Sequence, residues 1–131
     1  MAYNIKSVYG NENHGTVENK NGTVQVSFEG KSNSPYELFL GGYASCLHST
    51  FKGIADKKRI PFEGVTYDVT GIKREEVPTM LKELTTIITF TGVQKEKEKA
   101  IEKSMALAER YCSISAMIKM IAEMKFEIIF K

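Results

Sequence analysis

The sequence is poor in cysteine, in proline and in net charge, and it contains no long apolar run. Its 131 residues include two cysteines and three prolines, and 18 Lys and Arg against 16 Asp and Glu leave a net charge of +2. So small a charge argues against a nucleic-acid surface. No apolar run reaches the ~18 residues of a transmembrane helix, and no basic start followed by an apolar stretch marks a secretory signal. We therefore expect a cytoplasmic protein that binds neither nucleic acid nor membrane.

The two cysteines are too few for a disulfide framework, and the expected compartment is too reducing for one. They are therefore either inert core thiols or a transient redox pair. The remaining composition, 42% hydrophobic and 26% charged, is that of an ordinary globular protein. With no internal repeat or low-complexity segment, the chain is most simply a single domain over residues 1–131.

Short strands are predicted for the first third of the chain. Asn21-Gly22 stands between two alternating runs, which is a strong hairpin signal, and Val24, Val26 and Phe28 fall on one face of the second run. The segment YNIKSVY before the hairpin predicts a third strand. The turn residues EGKSNS then lead into a helix.

The start of this helix is marked by the sequence SPYE. Ser34 can cap the helix, Pro35 suits its first position, and Glu37 completes a capping box. We expect the helix to end near Lys58, where positive charge precedes Pro61. At ~1.5 Å per residue, about 23 residues give a helix of roughly 35 Å, which is long for so small a protein.

The first half of this helix is apolar on nearly every side, which predicts burial all round. The apolar residues are Leu38, Phe39, Leu40, Tyr43, Ala44 and Leu47. Because one short chain cannot easily surround such a helix, we expect a homodimer in which two long helices share a core.

The second half of the chain alternates strands and helices. The β-branched runs at residues 64–72 and 83–92 predict two strands, and residues 95–124 predict a helical region. Within that region one face carries Ile101, Met105, Ala108 and Cys112. The segment KFEIIFK predicts a last strand, with Phe126, Ile128 and Phe130 pointing inward. The fold class is therefore α+β.

Cys46 lies in the long helix in a mixed surrounding of small residues. Two glycines in the helix interior, Gly41 and Gly42, cost about 1 kcal/mol each relative to alanine, so another group is expected to approach the backbone there. His48 stands two positions after Cys46, about 200° around the helix, and cannot be a local partner of the thiol.

Cys112 allows two interpretations. If the helix breaks at the sequence CSIS, Ser113 can cap a new helix, and Cys112 lies beside a helix N-terminus that would lower its pKa. If the helix is continuous, Cys112 belongs to the apolar face. The residues alone leave open whether the two thiols are core residues or a functional pair, because sequence spacing does not say whether the two sulfurs meet.

The segments SPYELFLGGYASC and ERYCSISAMI together resemble the OsmC/Ohr family of thiol-dependent hydroperoxide reductases, and the resemblance covers essentially the whole chain. It implies an OsmC-like fold of antiparallel sheets wrapped around a long central helix, in an intertwined homodimer. It also implies catalysis without a cofactor. Cys46 matches the peroxidatic cysteine, which attacks an organic or inorganic hydroperoxide and becomes a sulfenic acid. Cys112 matches the resolving cysteine, and an external dithiol reduces the resulting disulfide.

The sequence departs from the family at the groups that activate the thiolate, which are a glutamate after the helix-start proline and an arginine in the N-terminal strands. Tyr36 occupies the position of the glutamate, and Glu37 follows it. The N-terminal strands contain no arginine, so Lys20, or His14 if protonated, would supply a cation there. Arg110, close before the second cysteine, is a further candidate.

Two alternatives to a peroxidase follow. The first is a redox-sensing or small-ligand-binding protein that keeps the fold without efficient turnover, and the altered activating positions motivate it. The second is a metal site built from Cys46, Cys112, His14 or His48, for which the sequence offers no local ligand spacing.

Overall fold

The computed structural model describes all residues, 1–131, and has mixed α+β architecture. The elements are β1 (Lys6–Tyr9), β2 (His14–Asn19), β3 (Gly22–Ser27), α1 (Pro35–Lys57), β4 (Gly64–Lys73), β5 (Leu81–Thr91), a 3-10 turn (Lys95–Lys97), α2 (Glu98–Tyr111), α3 (Ser113–Lys119) and β6 (Glu123–Phe130). The chain divides into two compact units, Met1–Phe39 and Leu40–Lys131. The single domain expected from the length stays a prediction.

The first unit contains an antiparallel sheet in the order β1-β2-β3. The predicted hairpin is confirmed, but its turn lies one residue earlier than expected. Asn19 pairs with Gly22, so the loop consists of Lys20 and Asn21. The Asn19 side chain accounts for the shift, because its Oδ1 accepts hydrogen bonds from the backbone N–H of Asn21 and of Gly22, at 2.7 and 3.0 Å. Val26 is buried in this unit.

The start and end of α1 are specified by local hydrogen bonds. The predicted capping box is present, since the N–H of Glu37 donates to Ser34 Oγ at 3.1 Å and the N–H of Ser34 donates to Glu37 Oε1 at 2.9 Å. At the other end Arg59 has a φ of 55°. The N–H of Arg59 donates to Asp56 O and that of Ile60 to Ala55 O, at 3.1 and 3.0 Å, which is a Schellman motif.

The second unit contains a sheet in the order β4-β5-β6, in which the expectation of antiparallel sheets is only partly met. Strands β4 and β5 are antiparallel, whereas β5 and β6 are parallel. The reason is the connection, because two helices separate β5 from β6 in sequence, and a helical crossover returns the chain to the same end of the sheet. The sheet is therefore mixed.

The predicted helical region is shorter than expected and is broken at Cys112, since α2 ends at Tyr111 and α3 ends at Lys119. The predicted apolar face is confirmed: Ile101, Met105, Ala108 and Cys112 are all fully buried.

The last strand is confirmed, but its inward-facing residues are less buried than predicted. Phe126 is 38% exposed, and Ile128 and Phe130 are half-buried. The cause is the position of β6 at the edge of its sheet, where one side of the strand has no neighbour.

The core of the second unit lies between α1 and β5. Its largest buried members are Tyr43, Leu47 and Phe51 of α1 and Leu84, Ile88 and Phe90 of β5. Burial on every side of the first half of α1 is wrong for the single chain: Phe39 is 42% exposed, and Leu38 and Leu40 are half-buried. None of the helices has the length and apolar character needed to cross a bilayer.

Candidate active site at the two cysteines

Cys46 and Cys112, 66 positions apart in sequence, come into contact. Their Sγ atoms are 2.8 Å apart, with the Cys112 thiol donating to Cys46 Sγ, and no disulfide joins them. Cys46 is half-buried on α1, whereas Cys112 is fully buried between α2 and α3. The two cysteines therefore form a dithiol pair of which only one member is exposed to solvent.

The break between α2 and α3 brings Cys112 to this position. Its backbone is extended (φ −68°, ψ 118°), so it ends one helix and caps the next. The N–H of Cys112 donates to Ala108 O at 2.8 Å, and its Sγ accepts a hydrogen bond from the N–H of Ser115 at 3.4 Å. Of the two interpretations that the sequence left open, the broken helix is the one observed, but the cap is Cys112 itself and not Ser113.

The first turn of α3 surrounds Cys46 with hydrogen-bond donors. Burial alone raises the pKa of the Cys46 thiol, but hydrogen bonds from the Cys112 thiol, from the N–H groups of Ile114 and Ser113 and from the Ser113 hydroxyl outweigh it. The pKa of Cys46 is therefore lowered. Donors that point at a sulfur stabilise its thiolate, because the charged form is the stronger acceptor.

The pKa of Cys112 moves in the other direction. Burial is the main cause, and the hydrogen bond to Cys46 adds to it, so that the pKa of Cys112 is raised to about 11. The expectation that a helix N-terminus would lower this pKa is wrong, because full burial outweighs the N–H of Ser115. Of the two sulfurs, Cys46 is therefore the one that ionises more readily, and Cys112 is the one that keeps its proton.

The Glu109 carboxylate stabilises the first turn of α3, which carries these donors, by hydrogen bonding. Glu109 Oε1 accepts a hydrogen bond from the hydroxyl of the buried Ser115 at 3.3 Å, and its Oε2 accepts one from Lys119 Nζ at 3.4 Å. Glu109 therefore joins the end of α2 to both ends of α3. This contact was not predicted, because the helical spacing between Glu109 and Ser115 is lost at the break.

The predicted activating residues have other contacts. The ring of Tyr36 packs edge-on against Phe39 at 5.8 Å, and Glu37 caps the helix, where hydrogen bonds from Ser34 lower its pKa. Lys20 lies in the hairpin loop, and the Arg110 guanidinium lies over the Tyr111 ring at 5.7 Å. None of the four is among the groups that shift the pKa of Cys46.

The two histidines also have partners other than the thiols. His14 Nε2 lies 2.7 Å from Glu12, and His48 Nδ1 lies 3.0 Å from the hydroxyl of Tyr67. The prediction that His48 is not a local partner of Cys46 is consistent with this contact. No group of three or more His, Cys, Asp or Glu side chains is arranged to hold a metal ion.

Solved structures of low sequence identity share this fold. An OsmC-like protein from Mycoplasma pneumoniae is 16% identical with a TM-score of 0.87, and the match covers 99% of this chain and 97% of that one. An organic hydroperoxide resistance protein OsmC from Legionella pneumophila is 22% identical with a TM-score of 0.72, covering 98% of both chains. An organic hydroperoxide resistance protein from Elizabethkingia anophelis is 20% identical with a TM-score of 0.71, covering 100% of this chain and 99% of that one.

No protein of curated function matches the sequence. The sequence model of the OsmC-like protein family matches residues 28–127, which include α1, both cysteines and the second sheet almost to its end. The chain therefore belongs to the family of OsmC-like proteins.

Proposed function

We propose that the protein is a thiol-dependent hydroperoxide reductase in which Cys46 is the peroxidatic and Cys112 the resolving cysteine. The observation that carries the proposal is the 2.8 Å contact between two unbridged sulfurs whose pKa values are shifted in opposite directions. The names of the Legionella and Elizabethkingia relatives, organic hydroperoxide resistance proteins, support the same chemistry.

In the first step the thiolate of Cys46 attacks the terminal oxygen of the hydroperoxide. The S–O bond forms as the O–O bond breaks, and the alkoxide takes a proton and leaves as an alcohol, or as water when the substrate is hydrogen peroxide. The sulfur loses two electrons and becomes a sulfenic acid. The donors of Ser113 and Ile114 support this step because they stabilise the ionised form of the attacking sulfur.

In the second step the Cys112 thiol condenses with the sulfenic acid. The S–S bond forms, and the hydroxyl of the sulfenic acid leaves as water. An external dithiol then reduces the disulfide by exchange and is itself oxidised to a disulfide, so that the cycle needs no cofactor. A cytoplasmic location fits this requirement, since dithiol reductants are available there.

The burial of the pair points to organic hydroperoxides as the preferred substrates. Cys112 is fully buried and Cys46 is half-buried, so little water reaches the two sulfurs. An alkyl group gains free energy by leaving water for such a surface, whereas hydrogen peroxide does not. Restricted access also slows further oxidation of the sulfenic acid, because a second peroxide must reach the same sulfur.

We further propose that two copies form a homodimer. The exposed Phe39 and the half-buried Leu38 and Leu40 leave apolar surface on the first half of α1 uncovered in the single chain. Light scattering after gel filtration should give twice the chain mass of 14.7 kDa. A mass equal to one chain at micromolar concentration would contradict this assembly.

Peroxide consumption tests the activity directly. The native protein should consume cumene hydroperoxide in the presence of a dithiol, faster than it consumes hydrogen peroxide, and Cys46→Ser should abolish the reaction. Ser45→Ala, next to Cys46 in sequence but with an exposed side chain, is the matched control and should keep the native rate. The proposal is wrong if Cys46→Ser retains the full rate.

A redox sensor without efficient turnover is the second candidate. The observation in its favour is that only hydrogen bonds lower the pKa of Cys46, since no cation is among the causes. Such a protein would form the disulfide once after a peroxide pulse and would be reduced slowly. Multiple-turnover kinetics with a dithiol in excess separate the two candidates, because a sensor would show a single burst.

A further inference from the structure

The two glycines in the interior of α1, Gly41 and Gly42, are not approached closely by any other part of the chain. Apart from the backbone of the helix and the adjoining residues, no atom lies within 4 Å of the point where a Cβ would stand at either glycine. The close approach that the sequence led us to expect is therefore not made within the chain. Any group that occupies this space comes from outside it.

Gly42 lies directly beside the reactive sulfur of Cys46. It precedes Cys46 by one helical turn on the same face, and because helical side chains lean toward the N-terminus, the Cys46 side chain extends over this turn. Tyr43, the other neighbour on this face, is buried, whereas Gly42 and Cys46 are both half-buried. Gly41 lies about 140° around the helix from Cys46, and its carbonyl accepts a hydrogen bond from Ser45 Oγ at 2.8 Å. The open space at Gly42 therefore adjoins the Cys46 sulfur, and the space at Gly41 does not.

Cys112 offers no surface to an incoming reagent. It is fully buried, as are the neighbouring Ala108, Ser115 and Ile118. The N–H of Cys112 donates to Ala108 O at 2.8 Å, and its sulfur accepts the N–H of Ser115 at 3.4 Å, so a reagent could touch this sulfur only if the junction of α2 and α3 opened. Closing the 2.8 Å contact between the sulfurs to the ~2.0 Å of a disulfide shifts them by less than ~1 Å. Cys112 therefore stays covered in the oxidised pair.

Two rules of thiol–disulfide exchange favour different sulfurs of the oxidised pair. A thiol of lower pKa is the better leaving group, and this rule favours attack on Cys112, because Cys46 would then be the group that leaves. Access favours attack on Cys46, which alone is in contact with solvent. Access decides the outcome, because a poor leaving group only slows the exchange, whereas a sulfur that no reagent touches does not react.

We propose that the reducing dithiol reaches the oxidised pair over Gly42 and forms its mixed disulfide with Cys46, so that Cys112 is the leaving group. This inference rests on the redox cycle of the proposed function and names the sulfur at which the reductant resets that cycle. Gly42 is then the position that determines how bulky a reductant can be.

The exchange takes two steps. A thiolate of the dithiol attacks Cys46 Sγ, the new S–S bond forms as the Cys46–Cys112 bond breaks, and the bonding electron pair stays on Cys112, which takes up a proton. The N–H of Ser115, which bonds to the Cys112 sulfur in the reduced pair, is placed to donate to the departing sulfur. The second thiolate of the dithiol then attacks the reductant sulfur of the mixed disulfide, and Cys46 leaves as a thiolate. The reductant ends as a cyclic disulfide, and two electrons have passed to the pair.

Trapping the mixed disulfide tests which sulfur is attacked. The native protein is first oxidised with diamide, so that the test does not depend on peroxidase activity, and is then mixed with excess glutathione, a monothiol that cannot release itself by forming a ring. Acid stops the exchange because it removes the thiolate, and peptic digestion with mass spectrometry locates the adduct at the earliest times. We expect at least about tenfold more glutathione on the Cys46 peptide than on the Cys112 peptide. An adduct mainly on Cys112, or equal on both, overturns the proposal.

Gly42→Leu tests the route by which the reductant arrives. Leucine is a good helix former, and its side chain would fill the space beside the Cys46 sulfur. The rate constant for reduction of the diamide-oxidised protein by dithiothreitol, followed by intact mass after acid quenching, should fall at least about tenfold. Gly42→Ala, which adds only a methyl group, and the matched variant Gly41→Leu should keep the native rate within about twofold. A native rate in Gly42→Leu overturns the route, as does an equal loss in Gly41→Leu, which would indicate a general disturbance of the helix or of the homodimer.

This inference and the proposed function can fail separately. If glutathione is found on Cys46 but the protein consumes no hydroperoxide, the peroxidase proposal is wrong and the attacked sulfur stands as assigned. If hydroperoxide is consumed and the adduct lies on Cys112, the peroxidase proposal stands and the present inference is wrong. A pair of thiols that diamide does not join would overturn both.

Discussion

Cys46 and His48 lie two positions apart on one helix, and the pKa of each is lowered, but the consequences for their charge are opposite. For Cys46 the lowering favours the charged thiolate, because the Cys112 thiol and the first turn of α3 supply hydrogen-bond donors that overcome burial. For His48 the lowering favours the neutral imidazole, because burial is the main cause and Lys52 adds to it. On the same helix, the surroundings thus favour the charged form of one side chain and the neutral form of the other.

The difference shows that the elements packed against α1 determine most of the electrostatics of each side, while Lys52 is the contribution from α1 itself. Cys46 faces the first turn of α3, whose N–H groups donate to its sulfur, whereas His48 faces aromatic rings and the hydroxyl of Tyr67. Burial acts on both groups, but it is decisive only where no donor compensates for it. Substitutions in the partner elements should therefore change one side at a time.

The largest effect is expected from Cys112→Ser. The hydroxyl keeps the helix cap but cannot form a disulfide, so a peroxide pulse should leave Cys46 as a sulfenic acid. Mass spectrometry after trapping with dimedone should show nearly complete labelling of the variant and little of the native protein. An intact turnover rate in this variant would contradict the resolving role.

Arg59→Gly should stabilise the helix that carries both groups without changing either of them. Arg59 has a positive φ of 55° at the end of α1, where glycine has no steric cost. The free energy of unfolding should rise by about 0.5–1 kcal/mol. Urea denaturation provides the measurement, and Lys57→Gly, within the last turn, is the matched control that should destabilise by about 1 kcal/mol.

Glu109→Gln should affect only the cysteine side. Glu109 accepts hydrogen bonds from Ser115 and Lys119, and replacing its carboxylate by an amide should weaken them. The first turn of α3, whose N–H groups stabilise the thiolate, should then become more mobile. We expect the alkylation of Cys46 at neutral pH to slow by up to about threefold, since a pKa rise of half a unit lowers the thiolate fraction by at most that factor. The exposed Glu102→Gln is the control, and a change in the titration of His48 would argue against a local effect.

Lys52→Gln should affect only the histidine side, and by the smallest amount. The positive charge of Lys52 disfavours the imidazolium, and its ion pair with Asp56 weakens this effect, so removal of Lys52 should raise the pKa of His48 only slightly. NMR titration of the imidazole signals measures this shift. Lys57→Gln near the end of the same helix is the control, and the alkylation rate of Cys46 should be unchanged in both variants.

Local signals predicted the parts of the fold that neighbouring residues determine. The capping box of Ser34 and Glu37, the hairpin and the apolar face of α2 follow from spacings of a few residues. The parallel pairing of β6 was not predicted, because strand direction depends on how two helices return the chain.

The candidate site could be predicted only in part, for a similar reason. The resemblance indicated which two cysteines matter, but two of the donors on Cys46 are the backbone N–H groups of Ser113 and Ile114, which almost any residue would offer. Likewise, the pairing of His48 with Tyr67 joins residues 19 positions apart on different elements, and no sequence period connects them. Contacts of this kind arise from tertiary packing, which periodicity does not describe.

Cys112 is an unusual helix cap, and this has a consequence for protein engineering. Serine, threonine, aspartate and asparagine are the favoured caps, because oxygen is a better acceptor of a backbone N–H than sulfur is. The 3.4 Å contact between Ser115 N–H and the Cys112 sulfur is a weak substitute for such a bond. Serine at this position should therefore preserve or improve thermal stability while removing the redox chemistry, which would make Cys112→Ser a convenient background for crystallising the reduced site or trapping its adducts.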